Sequence, residues 1–107
     1  MKRSICDTAI YSTRPVIYAL SPATSKEGTY ALVYIYGINF LPSGTTLVDF
    51  GTYKNIEVGF YSSNNISFVV PANAPHGIYR VVVKNNNNLN YFSTFIYSNS
   101  FEYLIYV

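Results

Sequence analysis

The stretches Ile66-Ser67-Phe68-Val69-Val70-Pro71 and Gly77-Ile78-Tyr79-Arg80-Val81-Val82-Val83-Lys84 decide the fold. In the first, Ile66, Phe68 and Val70 share one side of an extended chain, because side chains alternate across a strand. In the second, Arg80 and Lys84 mark a side facing water, which leaves Tyr79, Val81 and Val83 for a core. Both stretches are rich in the β-branched and aromatic residues that suit a pleated surface. The same reading extends in both directions. Val48 and Phe50 point inward with Asp49 between them facing water, and Phe101, Tyr103 and Ile105 point inward near the C-terminus. Turn formers at Ser21-Pro22, Lys26-Glu27-Gly28, Pro42-Ser43-Gly44, Ser62 to Asn65, Pro71 to Gly77 and Asn85 to Asn88 separate the runs. The resulting strands are 15–20, 30–37, 46–51, 54–60, 66–70, 78–84 and 91–106, the last broken near Ser98-Asn99-Ser100. No window carries helical periodicity over ten residues or more. Short strands, frequent turns and no helix predict an all-β antiparallel sandwich of about seven strands.

Composition narrows the function. The chain has 107 residues, enough for one domain. Only 11% are charged, 50% are hydrophobic and 18% aromatic, so it is too apolar for a disordered chain. A net charge of +2 from dispersed cations does not supply a broad phosphate-binding face. The single Cys6 excludes an internal disulfide framework and a cysteine zinc site. The longest apolar run, Tyr30 to Tyr36, is far short of a membrane span, so no membrane insertion is expected. Met1-Lys2-Arg3 is not followed by a signal-peptide core, so synthesis in the cytoplasm without a signal peptide is expected. Eleven Asn beside many Tyr, Ile and Phe reflect A+T-rich codons and carry no chemistry.

Seven landmarks, in order, resemble the IPT/TIG immunoglobulin-like domain family. They are Pro15-Val-Ile17-Tyr-Ala-Leu20-Ser-Pro22, Gly28, Val33-Tyr-Ile35-Tyr-Gly37-Ile-Asn39-Phe40, Val48-Asp-Phe50-Gly51, Ile66 to Pro71, Gly77 to Asn85 and Ser100-Phe101-Glu-Tyr103. The resemblance implies an immunoglobulin-like two-sheet Greek-key sandwich over 14–107, with 1–13 as an N-terminal arm or an extra edge strand. The landmarks also have physical readings. Gly37 lets the chain turn so that Phe40 plugs the core, Gly51 ends a strand at a bend, and Pro71 stops a ladder. Gly77 supplies a positive φ before the next strand.

Chemistry is sparse. His76, the only histidine, lies in a turn, and the acids Asp7, Glu27, Asp49, Glu57 and Glu102 are scattered, so no catalytic constellation forms. The resemblance brings no catalytic residue either, and an enzyme is not expected. Asp49 and Glu57 fall on neighbouring strands, but calcium takes about six to eight oxygen ligands, so no metal and no cofactor are expected. Asn65-Ile66-Ser67 matches a glycosylation acceptor by coincidence, and Asn85 to Asn88 reads as a hairpin tip. Rel-type transcription factors carry a related domain, yet Lys54, Arg80 and Lys84 do not cluster, so nucleic acid is not expected as a partner.

The remaining feature is the outward side of the strands. With Val33 and Ile35 inside, Tyr30, Leu32, Tyr34 and Tyr36 face out, where Lys, Glu, Thr or Ser belong. Covered tyrosines bury on the order of 150–250 Å² each, so this row exposes roughly 500 Å², the size of an interaction patch. Leu104 and Tyr106 repeat the pattern near the C-terminus. Ordinary cross-strand tyrosine packing is the competing explanation. Ile5, Ala9, Ile10 and Tyr11 suit an arm that adds a strand to a neighbour's sheet, or an edge strand of the domain itself. The leading expectation is a non-enzymatic structural interaction module that docks by the tyrosine-rich face or the arm. By analogy with stand-alone domains of this kind, it would be an auxiliary, decoration or minor capsid protein of a virion, bound to a shell protein or to itself. The alternative is a carbohydrate- or cell-surface-binding module, with Tyr61 near Asn64 or Tyr91 beside Asn88 and Asn90 stacking on sugars.

Overall fold

A computed structural model of the chain describes residues 14–42, 44–89 and 92–107, and side chains for all of these except 87–89 and 92–94. Among the described residues nine strands form two sheets: β1 (Val16–Ser21), β2 (Thr24–Lys26), β3 (Leu32–Ile38), β4 (Thr46–Phe50), β5 (Tyr53–Glu57), β6 (Gly59–Ser62), β7 (Asn65–Val69), β8 (Gly77–Leu89) and β9 (Phe92–Tyr106). One sheet has the order β1-β3-β7-β6, the other β2-β9-β8-β4-β5. All neighbours are antiparallel except β2 and β9, which run parallel. The chain therefore changes sheets repeatedly, as an immunoglobulin-like sandwich does.

The inward residues read from alternation meet between the sheets. Val33, Ile35, Ile66, Phe68 and Val70 of one layer are buried, as are Val48, Phe50, Val81, Val83, Tyr103 and Ile105 of the other. Phe101 packs at the edge of this cluster. Phe50 is its aromatic hub: it stacks on Tyr79 with ring centres 4.5 Å apart and meets Tyr103 edge-on at 5.5 Å. Phe40 fills the core as expected, but the turn that returns it is made by Asn39, with φ of 66°. Gly37 serves close approach instead, because a Cβ there would strike the Val16 carbonyl oxygen and the Phe40 ring. At Gly51, φ is +59° and the Tyr79 ring lies over the turn between β4 and β5. Gly77 supplies the positive φ expected of it, at 150°.

Four expectations need correction. The run 54–60 is two strands in different sheets, and buried Val58 marks the crossing. The short β2 went unforeseen. Asn85 to Asn88 is not the hairpin tip, since β8 continues through it to Leu89 in register with β9. Asn85 is buried: its Oδ1 accepts from Thr46 Oγ1 and its Nδ2 donates to the Asn39 carbonyl. Finally, Asp49 and Lys84 do not stand in water. Lys84 Nζ lies 2.9 Å from Asp49 Oδ1 and 4.3 Å from the centre of the Phe95 ring, and both side chains are over nine-tenths buried.

The expected break near Ser98-Asn99 is a bulge, where the β8–β9 register shifts between Val82 and Lys84. Its side chains do structural work. Ser98 Oγ accepts from the Val83 amide, and Asn99 crosses to the other sheet. The Asn99 amide accepts from Ile17 N–H at 2.8 Å and donates to the Ile17 carbonyl at 3.0 Å, so it pairs with β1 as a strand would. The expected arm, 1–13, and Cys6 with it, lie outside the described residues, as do the side chains of Asn88, Asn90 and Tyr91.

Candidate interaction face

The four strands of the β1-β3-β7-β6 sheet are VIYALS, LVYIYGI, GFYS and NISFV, and none contains Asp, Glu, Lys or Arg. Lys26, Asp49, Lys54, Glu57, Arg80, Lys84 and Glu102 all fall on strands of the other sheet. A free-standing antiparallel sheet normally gives its solvent face to polar and charged side chains. This sheet gives its face to aromatics.

Registry arranges the face in rows. Ser21, Tyr34, Ser67 and Gly59 lie side by side across it, and Ala19, Tyr36, Asn65 and Ser62 form the next row. Leu32 and Val69 pair at the end, both exposed. Tyr34 and Tyr36 thus stand on a central strand with small side chains on either side. Tyr36 is 42% exposed, while Tyr34 is half-buried with its ring 5.9 Å from that of Tyr61. Tyr61 lies over the sheet on the β7 side. Its hydroxyl accepts from Ser67 Oγ at 3.3 Å, and it comes close enough to Gly59 that a Cβ there would sit 3.7 Å from that hydroxyl. On the β1 side nothing comparable covers Ala19 and Ser21, which are exposed. Tyr18, at the β1 register shift, is 60% exposed.

Of the residues singled out by sequence, Leu32, Tyr34 and Tyr36 come together on this face, with exposed Tyr30 just before β3. Leu104 and Tyr106 do not join them. They project from β9 on the opposite side of the sandwich, beside Ile78 and the cross-strand pair Arg80–Glu102. Val69 was missed, and Tyr61, read from sequence only as a sugar-stacking residue, joins the face through the pairing of β6 and β7 with β3.

Among the described residues no other site competes. No pocket opens among the described residues, and no group of His, Cys, Asp or Glu among them is placed to hold a metal ion. Among the described residues no helix is long and apolar enough to cross a membrane. His76 lies in its turn, where its backbone N–H donates to Glu27 Oε2 at 2.9 Å and its ring Nδ1 lies 3.4 Å from the same oxygen. Asp49 pairs with Lys84, with Lys54 Nζ at 3.9 Å, whereas Glu57 is exposed across from Leu47. The Asn64 amide donates to the Gly37 carbonyl and so tethers the β6–β7 turn to β3. Burial raises the phenol pKa of Tyr103, against the effect of the Ser25 hydroxyl beside it, and that of Tyr79, whose hydroxyl donates to the Pro75 carbonyl.

Two layers in this strand order around a closed aromatic core define an immunoglobulin-like sandwich. The sequence model of the IPT/TIG domain matches residues 15–103, and the chain belongs to that family. Its domains are interaction modules and are generally non-catalytic. Comparison with curated proteins finds no match.

Proposed function

We propose that the chain is a protein-docking module whose contact surface is the outer face of the β1-β3-β7-β6 sheet. The observation that carries this is the segregation of charge: four strands of Tyr, Leu, Ile, Val and small polar residues on one side, every strand-borne charge on the other. Covering such a face removes aromatic area from water without stripping hydration from a charge. The tyrosine hydroxyls retain hydrogen-bonding capacity for local specificity. The setting we propose is that of an auxiliary, decoration or minor capsid protein on a virion, on the grounds of size, composition and analogy. Mass spectrometry of gradient-purified particles tests it: the chain should co-purify with them, and its restriction to the host-cell soluble fraction overturns the setting.

The docking face is tested with immobilised wild type, Tyr34→Ser/Tyr36→Ser and Leu104→Ser/Tyr106→Ser, each exposed to extract from the source cells. Proteins retained by wild type and by the 104/106 variant, but lost with the 34/36 variant, support the face. Retention by all three, or loss only with the 104/106 variant, overturns it. A carbohydrate-binding reading has one observation in its favour, the exposed Tyr61 ring held over Gly59 and Ser67. Binding to a neutral-glycan array with no protein retained would replace the docking reading with that one.

A further inference from the structure

Building on the docking reading, we propose that the partner seated on this face is a second copy of the chain. The relief of the face argues for it. Tyr34 and Tyr36 form a ridge on β3, and Ala19 and Ser21 form a trough on β1, each directly in register with its tyrosine. Adjacent strands lie about 4.8 Å apart, so ridge and trough are separated by one strand spacing. A two-fold axis running along the strands, midway between β1 and β3, carries the ridge of one copy over the trough of the other and the reverse. An isologous contact requires this kind of self-matching patch. On the other flank of the ridge, Tyr61 already occupies the space above Ser67 and Gly59, so the matching trough lies on the β1 side.

Charge favours the same occupant. An unlike partner is commonly selected by complementary charge, and these strands offer none. The strands of two identical faces meet here without opposing like charges, and Arg14, two residues before β1, turns its guanidinium to the Tyr97 carbonyl of the other sheet. The cations that give each copy its +2 net charge include Lys54 and Arg80, on the far sheet. The far sheet packs about 10 Å behind the near one, and these exposed cations project from its outer side, so they lie beyond the ~8–10 Å screening length of physiological salt. Area limits the strength. Leu32, Tyr36, Tyr61 and Val69, each 42–57% exposed, contribute a few hundred Å² of apolar surface, about the size that marks an interaction patch. That is at the small end of specific interfaces, where weak, reversible contacts fall, so the titration is set in the micromolar range.

Sedimentation velocity of the full chain from 1 to about 200 µM reads this out. A reductant is included so that Cys6 does not link copies. Wild type should pass from monomer to dimer across the range, with little change when salt rises. Ala19→Arg places a long cation in the trough at an exposed position and should weaken the dimer at least tenfold, with an unchanged thermal melt. Ile78→Arg, on the opposite sheet, should dimerise as wild type does. Wild type that stays monomeric at the highest concentration, Ala19→Arg that dimerises normally, or loss of the dimer in Ile78→Arg instead overturns the proposal. Monomeric wild type that still retains another protein through Tyr34 and Tyr36 removes the second copy and keeps the docking face. Monomeric wild type that retains nothing removes both.

Discussion

Replacing Lys84 with Met keeps the aliphatic stem and removes the ammonium. The Asp49 carboxylate, whose side chain is 9% exposed, then keeps only the Asn55 N–H at 3.0 Å and the largely solvated Lys54 ammonium at 3.9 Å. Removing one partner of a buried pair leaves an uncompensated charge and costs about 3–5 kcal/mol. Asp49 keeps a hydrogen bond and a weak ion pair, so the lower end applies, about 3 kcal/mol. At about 4 °C per kcal/mol for a domain of this size, the melting temperature should fall by about 12 °C. Adding Asp49→Asn neutralises the site and keeps an acceptor for the Asn55 amide, so at least half the loss should return. Urea unfolding followed by circular dichroism, completed as a double-mutant cycle, measures both effects. A single variant that loses less than about 1 kcal/mol, or a double variant less stable than Lys84→Met, refutes the reasoning.

Gly37→Ala should destabilise by about 3 kcal/mol or prevent folding, because the added methyl meets the backbone of β1 and the Phe40 ring together; a chemical melt checks it. Asn99→Ala leaves both polar groups of buried Ile17 without these partners and should cost about 2–3 kcal/mol, with faster amide exchange at Ile17. For Tyr103 the fold favours the protonated phenol. Stability is therefore complete below the unfolded-state pKa, near 10, and declines as pH climbs through the raised folded-state value. Tyr79 acts with the same sign. Tyr103→Phe should change stability at pH 7 by no more than about 1 kcal/mol, since the Ser25 hydroxyl beside its phenol is at most a weak partner, and should retain more stability than wild type at pH 11. Thermal melts across that pH range decide it.

Alternation in the sequence carries the inner faces of the long strands because burial and side-chain period are both local properties. It reveals Phe50, Phe68, Val81 and Tyr103 as core without knowledge of which strands pair. It does not reveal β2, whose three residues Thr24–Lys26 hold no hydrophobic pattern and are placed by the parallel ladder to β9. Nor does it separate β5 from β6, since a chain crossing between sheets at Val58 keeps its β-forming composition. Asn85 reads as a turn former by propensity, but hydrogen bonds to residues about forty positions away bury it in a strand. Lys84 reads as solvated by residue type, yet Phe95 and Asp49 enclose it across the ladder. The candidate face divides along the same line. The β3 row of Leu32, Tyr34 and Tyr36 is legible from period two alone, whereas Tyr61 and Val69 join it only through strand order, and Leu104 and Tyr106 leave it for the same reason.

Concentration-dependent two-dimensional NMR of the isotopically labelled chain addresses the uncharged face residue by residue. On raising the protein from about 10 to 500 µM, amide shifts should move at Ala19, Ser21, Leu32, Tyr34 and Tyr36, while those of β5, β8 and Leu104 hold still. Shifts that concentrate at Ile78, Leu104 and Tyr106, or a spectrum that does not change at all, would contradict a docking face on the β1-β3-β7-β6 sheet that pairs with its own copy.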